Sequence, residues 1–123
     1  MPEQRGREHH RERLADGMRD EIGALLEGEL ADPRIGLASV TEVKLSPDGR
    51  ALHVFVNVAG TDDEAVSTME GLNAAKGYIR REVGSRMRLR VAPELHFHLD
   101  QSLQQAARID ELLRRSERKK KKP

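Results

Sequence analysis

Positive charge is concentrated in Leu72–Arg90, a stretch with helical periodicity. It contains six lysines and arginines against the single acidic residue Glu82, a formal charge of +5, whereas the whole chain carries only +1. Cationic side chains at this density are suited to binding the phosphates of a nucleic acid. The alternative is an ordinary solvated helix face. The clustering favours a phosphate-binding surface made by Lys76, Arg80, Arg81, Arg86, Arg88 and Arg90.

Three histidines form the only other group of residues that could do chemistry. His96 and His98 alternate along one segment, so a strand would project both from the same face, and His53 could join them from a neighbouring strand. Imidazoles bind zinc, and Asp100 is the one carboxylate near them in the sequence. Histidine is also ordinary at alternate positions on an outward strand face. We expect no metal, and a His-dependent metallohydrolase remains a less favoured alternative.

Composition excludes several other classes of protein. The 123 residues suit one domain, and the absence of cysteine excludes disulfides and thiolate chemistry. No apolar run approaches 18 residues, so we expect neither a membrane span nor a secretory signal and place the protein in the cytoplasm. No serine lies in a nucleophile elbow, and no glycine-rich phosphate loop occurs. We therefore expect no catalytic residue and no cofactor. Phe55, Tyr78 and Phe97 are too few for recognition dominated by base stacking.

The first half of the chain reads as a helix followed by a hairpin. Apolar residues spaced by three and four predict a helix over about residues 7–30, which ends before Asp32-Pro33. Ser46-Pro47-Asp48-Gly49 is a turn signal between two strands, Ile35–Leu45 and Ala51–Val58. In the first strand, one face is predicted to carry Leu37, Ser39, Thr41, Val43 and Leu45.

The second half reads as an interrupted helix, a strand and a last helix. Acidic residues from Asp62 favour a helix start. The helix is predicted to break at Ala75-Lys76-Gly77 and to resume toward Arg90, and Leu95–Leu99 forms a third strand. The predicted fold is α+β, in the order α-β-β-α-kink-α-β plus a C-terminal helix, with a three-stranded sheet covered by helices on one face. Residues 1–6 are expected to form a flexible arm, 7–113 the domain and 114–123 a flexible basic tail.

Several motifs resemble those of the bacterial ribosome-binding factor A family over about residues 7–113. The resemblance implies a type II KH-like domain in which Ala-x-Gly at a helix kink replaces the usual Gly-x-x-Gly loop; Ala75-Lys76-Gly77 stands at that place here. The segments that carry this resemblance are ADPRIG (31–36), LSPDGR (45–50), LNAAKGYIRREVGSRMRLR (72–90), PELHFHLDQS (93–102) and RIDELL (108–113).

That resemblance also implies a function. The family assembles the small ribosomal subunit: it binds the immature 30S particle and its 16S rRNA, promotes late maturation and processing, and is associated with growth in the cold. We expect a non-enzymatic, cytoplasmic monomer. The alternatives are a KH-like protein with a non-ribosomal RNA target and a domain that binds only proteins. The residues predicted to bind RNA are Ala75, Lys76, Gly77, Arg80, Arg81 and Arg88.

Overall fold

The chain begins with a long amphipathic helix. In the computed structural model, which describes residues 2–30 and 32–121, helix α1 spans Pro2–Ala24, and a π-helical turn continues it over Leu25–Glu29. Its apolar stripe faces the core as predicted, with Met18 and Ile22 fully buried. The helical run ends before Asp32-Pro33, since proline lacks the amide that the next helical hydrogen bond would need.

The predicted hairpin is present. Strands β1 (Ala38–Leu45) and β2 (Ala51–Val58) pair antiparallel. At the turn between them the Gly49 amide donates to the Ser46 carbonyl oxygen at 2.9 Å, and Gly49 has a φ of +73°. Only glycine adopts that backbone conformation without strain, which is why the sequence signal located the turn correctly.

The predicted side-chain phase of β1 was wrong. The register with β2 shifts between Val40 and Glu42, so the strand contains a bulge at Thr41. A bulge inserts one extra residue and reverses the alternation beyond it. Leu37, which was predicted to share one face with Val43 and Leu45, is 80% exposed. With the bulge, the apolar residues on both sides of Thr41 pack against the core: Ala38, Val40, Val43 and Leu45.

Helix α2 (Asp62–Arg86) carries most of the candidate site. It begins with a capping box, in which the Thr61 hydroxyl accepts from the Glu64 amide at 3.2 Å and the Glu64 carboxylate accepts from the Thr61 amide at 3.3 Å. The box satisfies two amides that the first helical turn cannot pair internally. The acidic start predicted from the sequence is therefore confirmed.

The predicted break at Ala75-Lys76-Gly77 was wrong, because α2 is one uninterrupted helix. Gly77 does not have the positive φ that a break of this kind would need. Leu72 and Ile79 flank it on one stripe, and both are fully buried. Burying each contributes about 1.5–3 kcal/mol, which exceeds the roughly 1 kcal/mol lost by placing glycine inside a helix. Packing on both sides thus holds the helix together through Gly77.

Gly77→Ala is expected to stabilise the protein by about 1 kcal/mol, because alanine is the better helix former. A Cβ at Gly77 would lie 3.6 Å from Nη1 of Arg81, an ordinary contact. Denaturant unfolding measures the change. Gly71→Ala is the control, since a Cβ there would lie 2.7 Å from Cγ1 of Ile35 and the steric conflict should remove the gain. A destabilised Gly77→Ala protein would contradict the uninterrupted helix.

Strand β3 completes the sheet, and a last helix closes the fold. Strand β3 (Glu94–Leu99) pairs parallel with β2, so the strand order is β1-β2-β3 and α2 forms the crossover. Helix α3 (Leu103–Lys121) packs against α2 and buries Ile109. It is capped by Ser102, whose hydroxyl accepts from the Gln105 amide at 3.2 Å. The predicted α+β fold, with a three-stranded sheet and helices on one face, is confirmed except for the break in α2.

Both ends of the described chain are helical. Residues 2–6 belong to α1 and residues 114–121 to α3, whereas Met1, Lys122 and Pro123 lie outside the described residues. The division into an arm (1–6), a domain (7–113) and a tail (114–123) stays a prediction. Within residues 2–30 and 32–121, no helix has the length and apolar character needed to cross a membrane.

Candidate nucleic-acid interface

The end of α2 and the loop that follows it form an open depression of about 630 Å³. Four guanidinium groups line it, and none of the lining residues is acidic. Such a surface attracts phosphate groups, because no carboxylate among the lining residues neutralises the field. The lining residues are Arg80, Arg81, Gly84, Ser85, Arg88, Leu89, Arg90 and Ala92. We call this surface the arginine depression.

Arg88 occupies the position just after the helix cap, where glycine is usual. The Leu89 amide donates to the Gly84 carbonyl oxygen at 2.9 Å, and the Arg88 amide donates to that of Ser85 at 3.2 Å. This pair of bonds defines a Schellman cap, which requires a left-handed residue at its centre. Arg88 accordingly has a φ of 54° and is the only non-glycine residue with positive φ in the described part of the chain. The conformation costs an L-residue about 1–2 kcal/mol.

Replacing Arg88 with glycine is therefore expected to raise the free energy of unfolding by about 1 kcal/mol, since glycine adopts the left-handed region without a steric penalty. Thermal or denaturant unfolding measures the gain. Arg90→Gly is the matched control, because it removes the same charge at a residue without positive φ. Equal effects of the two changes would contradict strain at Arg88.

Arg80 holds the loop against the helix. Its Nε and Nη2 both donate to the Ala92 carbonyl oxygen, at 3.1 and 2.7 Å. Gly84 permits the same approach, because a Cβ at this position would lie only 3.3 Å from the Cβ of Ala92. Arg80 therefore shapes the wall of the arginine depression, and part of its hydrogen-bonding capacity is already used.

Three arginines of the depression keep their guanidinium groups available. Arg81, Arg88 and Arg90 are exposed, and none makes a side-chain hydrogen bond or ion pair with another described residue. The guanidinium of Arg81 lies back over Gly77, with Nη1 3.6 Å from where a Cβ would stand. Cations without protein partners can bind phosphates at no loss of an existing interaction.

The structure brings together part of the predicted site. Arg80, Arg81 and Arg88 line the depression, whereas Lys76 and Gly77 lie exposed about one turn before Arg81. Ala75 is half-buried and packs against the core, so it points away from this surface. Direct RNA contact by the six predicted residues stays a prediction.

Arg86 and Arg90 were both counted in the predicted charge cluster, and the structure separates them. Arg86, counted with the charge cluster, instead binds Glu21 of α1 at 3.4 Å and Glu82 at 3.5 Å, joining the two helices. Arg90, absent from the predicted site residues, lines the depression. The charge count included Arg90, but this residue lies after the helix, where periodicity no longer assigns a face.

Comparison with known sequences shows to which family the chain belongs. A sequence model of the family described as ribosome-binding factor A matches residues 10–113. The chain belongs to the ribosome-binding factor A family. Ribosome-binding factor A of Koribacter versatilis is similar to it, with 57% identity over 119 residues and 97% of each chain covered.

Solved structures of the family share the fold. The crystal structure of ribosome-binding factor A from Thermus thermophilus matches with a TM-score of 0.63 and 26% identity, over 71% of this chain and 91% of that one. A homology model of the Thermus thermophilus factor, fitted into a cryo-EM map of its complex with the 30S subunit, matches with a TM-score of 0.57 and 28% identity, over 68% and 88% of the two chains. These family structures are KH-like, which confirms the predicted fold class.

In this family member, the three histidines stack on the sheet face that the helices leave open. The His53 ring centroid lies 5.2 Å from that of His96 and 5.0 Å from that of His98, which in turn lies 5.0 Å from Phe55. Nδ1 of His53 and Nε2 of His98 are 2.8 Å apart and share a hydrogen bond. In the described part of the chain, no group of three His, Cys, Asp or Glu side chains is arranged to hold a metal ion. The nitrogens of His53 and His98 bond to each other instead of converging on one point.

Acid is expected to destabilise the fold through His98. Burial, then the neighbouring His53 and His96, lowers the pKa of His98 below its usual value near 6.5. Below that value the unfolded chain binds a proton that folded His98 resists, so stability falls as the pH decreases from about 6.5. Melting temperatures between pH 7.5 and 5.5 should fall less for His98→Gln than for wild type. His10→Gln, on exposed α1, should behave like wild type. Parallel wild-type and His98→Gln curves would contradict this role.

Proposed function

We propose that this protein is a non-enzymatic assembly factor for the small ribosomal subunit. It binds the free, immature 30S particle through the arginine depression and promotes late maturation and processing of the 16S rRNA. The observation that carries the proposal is Arg88: a cation without a partner among the described residues is kept in a strained conformation, and it is one of the four arginines that line the depression. Strain of this kind is concentrated at functional sites. The 30S complex of the Thermus thermophilus relative supports the choice of partner.

The mechanism uses binding free energy alone. Arg81, Arg88 and Arg90 bind rRNA phosphates, with Lys76 one turn away, and Arg80 keeps the loop in place beside them. A factor that binds one rRNA conformation more tightly than the others increases the population of that conformation. The factor leaves once the mature subunit no longer offers this conformation. Binding needs no cofactor. The protein acts as a cytoplasmic monomer, and its action is most needed in the cold.

Sedimentation of cell extract tests this proposal. At low salt the protein should migrate with free small subunits, and it should leave them at high salt because phosphate contacts are salt-sensitive. Cells lacking the protein should accumulate precursor 16S rRNA, most strongly at low temperature. A protein with only protein partners should be indifferent to ribonuclease and moderate salt.

Two results would contradict the proposal. Absence from ribosomal fractions at low salt would remove the small subunit as partner. Equal affinity of the purified protein for 16S rRNA and for unrelated RNA would instead favour a KH-like protein with another RNA target.

A further inference from the structure

We propose that Tyr78 stacks on an unpaired nucleobase and makes the arginine depression select single-stranded over duplex RNA. This inference rests on the proposed function, since it assumes that RNA phosphates occupy the depression. It adds the class of RNA that is bound and names a residue outside the predicted site.

Tyr78 is an aromatic residue that the fold leaves partly uncovered. Its side chain is 43% exposed, and its hydroxyl has no hydrogen-bond partner among the described residues. It lies three residues before Arg81 and seven before Ser85, spacings that place side chains on one face of a helix. The ring therefore lies beside the arginine depression, about one helical turn before Arg81 and outside the residues that line it.

A cation and an aromatic residue are neighbours on α2 at this end of the depression, because Arg81 follows Tyr78 by three residues, a spacing that brings Cβ atoms to about 5–6 Å. The guanidinium of Arg81 lies over Gly77, the residue adjacent to Tyr78. Among the described residues, only Arg81 comes within 4 Å of where a Cβ of Gly77 would stand, so the helix surface beside this guanidinium is open to a nucleotide. One nucleotide can then place its phosphate on Arg81 and its base on Tyr78. At the other rim, Val91 is 77% exposed beside Arg90 and offers a second apolar contact.

Only unpaired nucleotides can use both kinds of contact. In an RNA duplex the bases stack on one another, and proteins reach chiefly phosphates and 2′-hydroxyls. A single strand exposes base faces, which stack on tyrosine with little dependence on sequence. Duplex RNA would satisfy the arginines and leave Tyr78 in water, so it should bind more weakly than a single strand of equal charge.

Two RNAs and two variants of the full chain test the inference. The probes are an unstructured strand and a blunt duplex with the same total number of nucleotides, and fluorescence anisotropy measures Kd at several salt concentrations. Tyr78→Leu should weaken single-strand binding by roughly 5- to 100-fold, while duplex affinity and the salt slope stay unchanged. Tyr78→Phe, which keeps the ring, should remain within about twofold of wild type.

The outcomes separate this inference from the proposed function. An unchanged single-strand Kd for Tyr78→Leu, or an equal loss on both RNAs, overturns the stacking role. Arg88→Ala reports on the depression itself: if it weakens neither RNA, the proposed function fails whatever Tyr78 does. Thermal melts confirm that the variants fold, and Tyr78→Met replaces Tyr78→Leu if the leucine protein does not.

Discussion

The double variant Arg81→Ala/Arg88→Ala is expected to bind small subunits and rRNA roughly 10- to 100-fold more weakly than wild type. Both side chains line one depression and have no partner among the described residues. They can therefore bind phosphates without first breaking an existing interaction. An ordinary hydrogen bond contributes about 0.5–1.5 kcal/mol net, so two lost contacts cost about 1–3 kcal/mol, and each 1.4 kcal/mol is about tenfold in Kd. The slope of log K against log salt should also become shallower by about 0.7–0.9 for each phosphate contact removed.

Charge-matched controls decide whether the effect belongs to this surface. Arg115→Ala/Arg118→Ala removes the same charge from α3, where both side chains lie near Glu111. It should change affinity and salt slope far less. Arg88→Gly removes the cation while relieving backbone strain, so this variant should be more stable yet bind more weakly. If Arg81→Ala/Arg88→Ala binds like wild type with an unchanged slope, the arginine depression does not bind RNA.

Ile79→Ala is expected to destabilise the protein by about 2–5 kcal/mol, the usual range for removing a fully buried aliphatic side chain. Ile79 is 0% exposed and belongs to the core cluster together with Leu72 and Val83. It lies two residues beyond Gly77, so its burial stabilises the helical conformation of α2 on the far side of the glycine. Denaturant unfolding measures the loss, and RNA affinity should weaken with it, because the arginines are attached to the same helix.

Ile79→Val provides the scale for that result. Removing one methylene from a buried isoleucine costs about 0.5–1.5 kcal/mol, so the valine protein should lie between wild type and Ile79→Ala. A loss below about 1 kcal/mol for the alanine variant would mean that this part of α2 does not pack tightly.

Local patterns predicted most of the fold because they report burial directly. The apolar spacing on α1 and the alternation on β2 each fit one period, and the turn residues Ser46–Gly49 mark the end of a strand. All three features lie where they were expected. The face of β1 could not be obtained this way, because a bulge at Thr41 changes the phase within one strand. Continuity through Gly77 depends on Ile79 meeting a core assembled from distant segments, which no local window contains.

The sequence predicted the positive charge of the candidate site, but it did not predict the shape of the surface. Counting cations located the surface, and three of the predicted residues line the depression: Arg80, Arg81 and Arg88. The left-handed cap was not foreseen, since an arginine at this place in the sequence gives no sign of a position that glycine usually fills. The bonds from Arg80 to Ala92 depend on the path of the loop into β3, which the third strand fixes.

The parallel pairing of β2 with β3 links the arginine depression to the order in which the chain can fold. Every residue that lines the depression lies in the crossover between these strands, and the loop wall ends at Ala92, two residues before β3 begins. The hairpin of β1 and β2 closes locally, but β3 joins only after a long segment has been looped out, which is the slower kind of contact to make. An incompletely folded chain therefore has the cations without the depression. The shape of the proposed RNA-binding surface is therefore acquired together with the last strand.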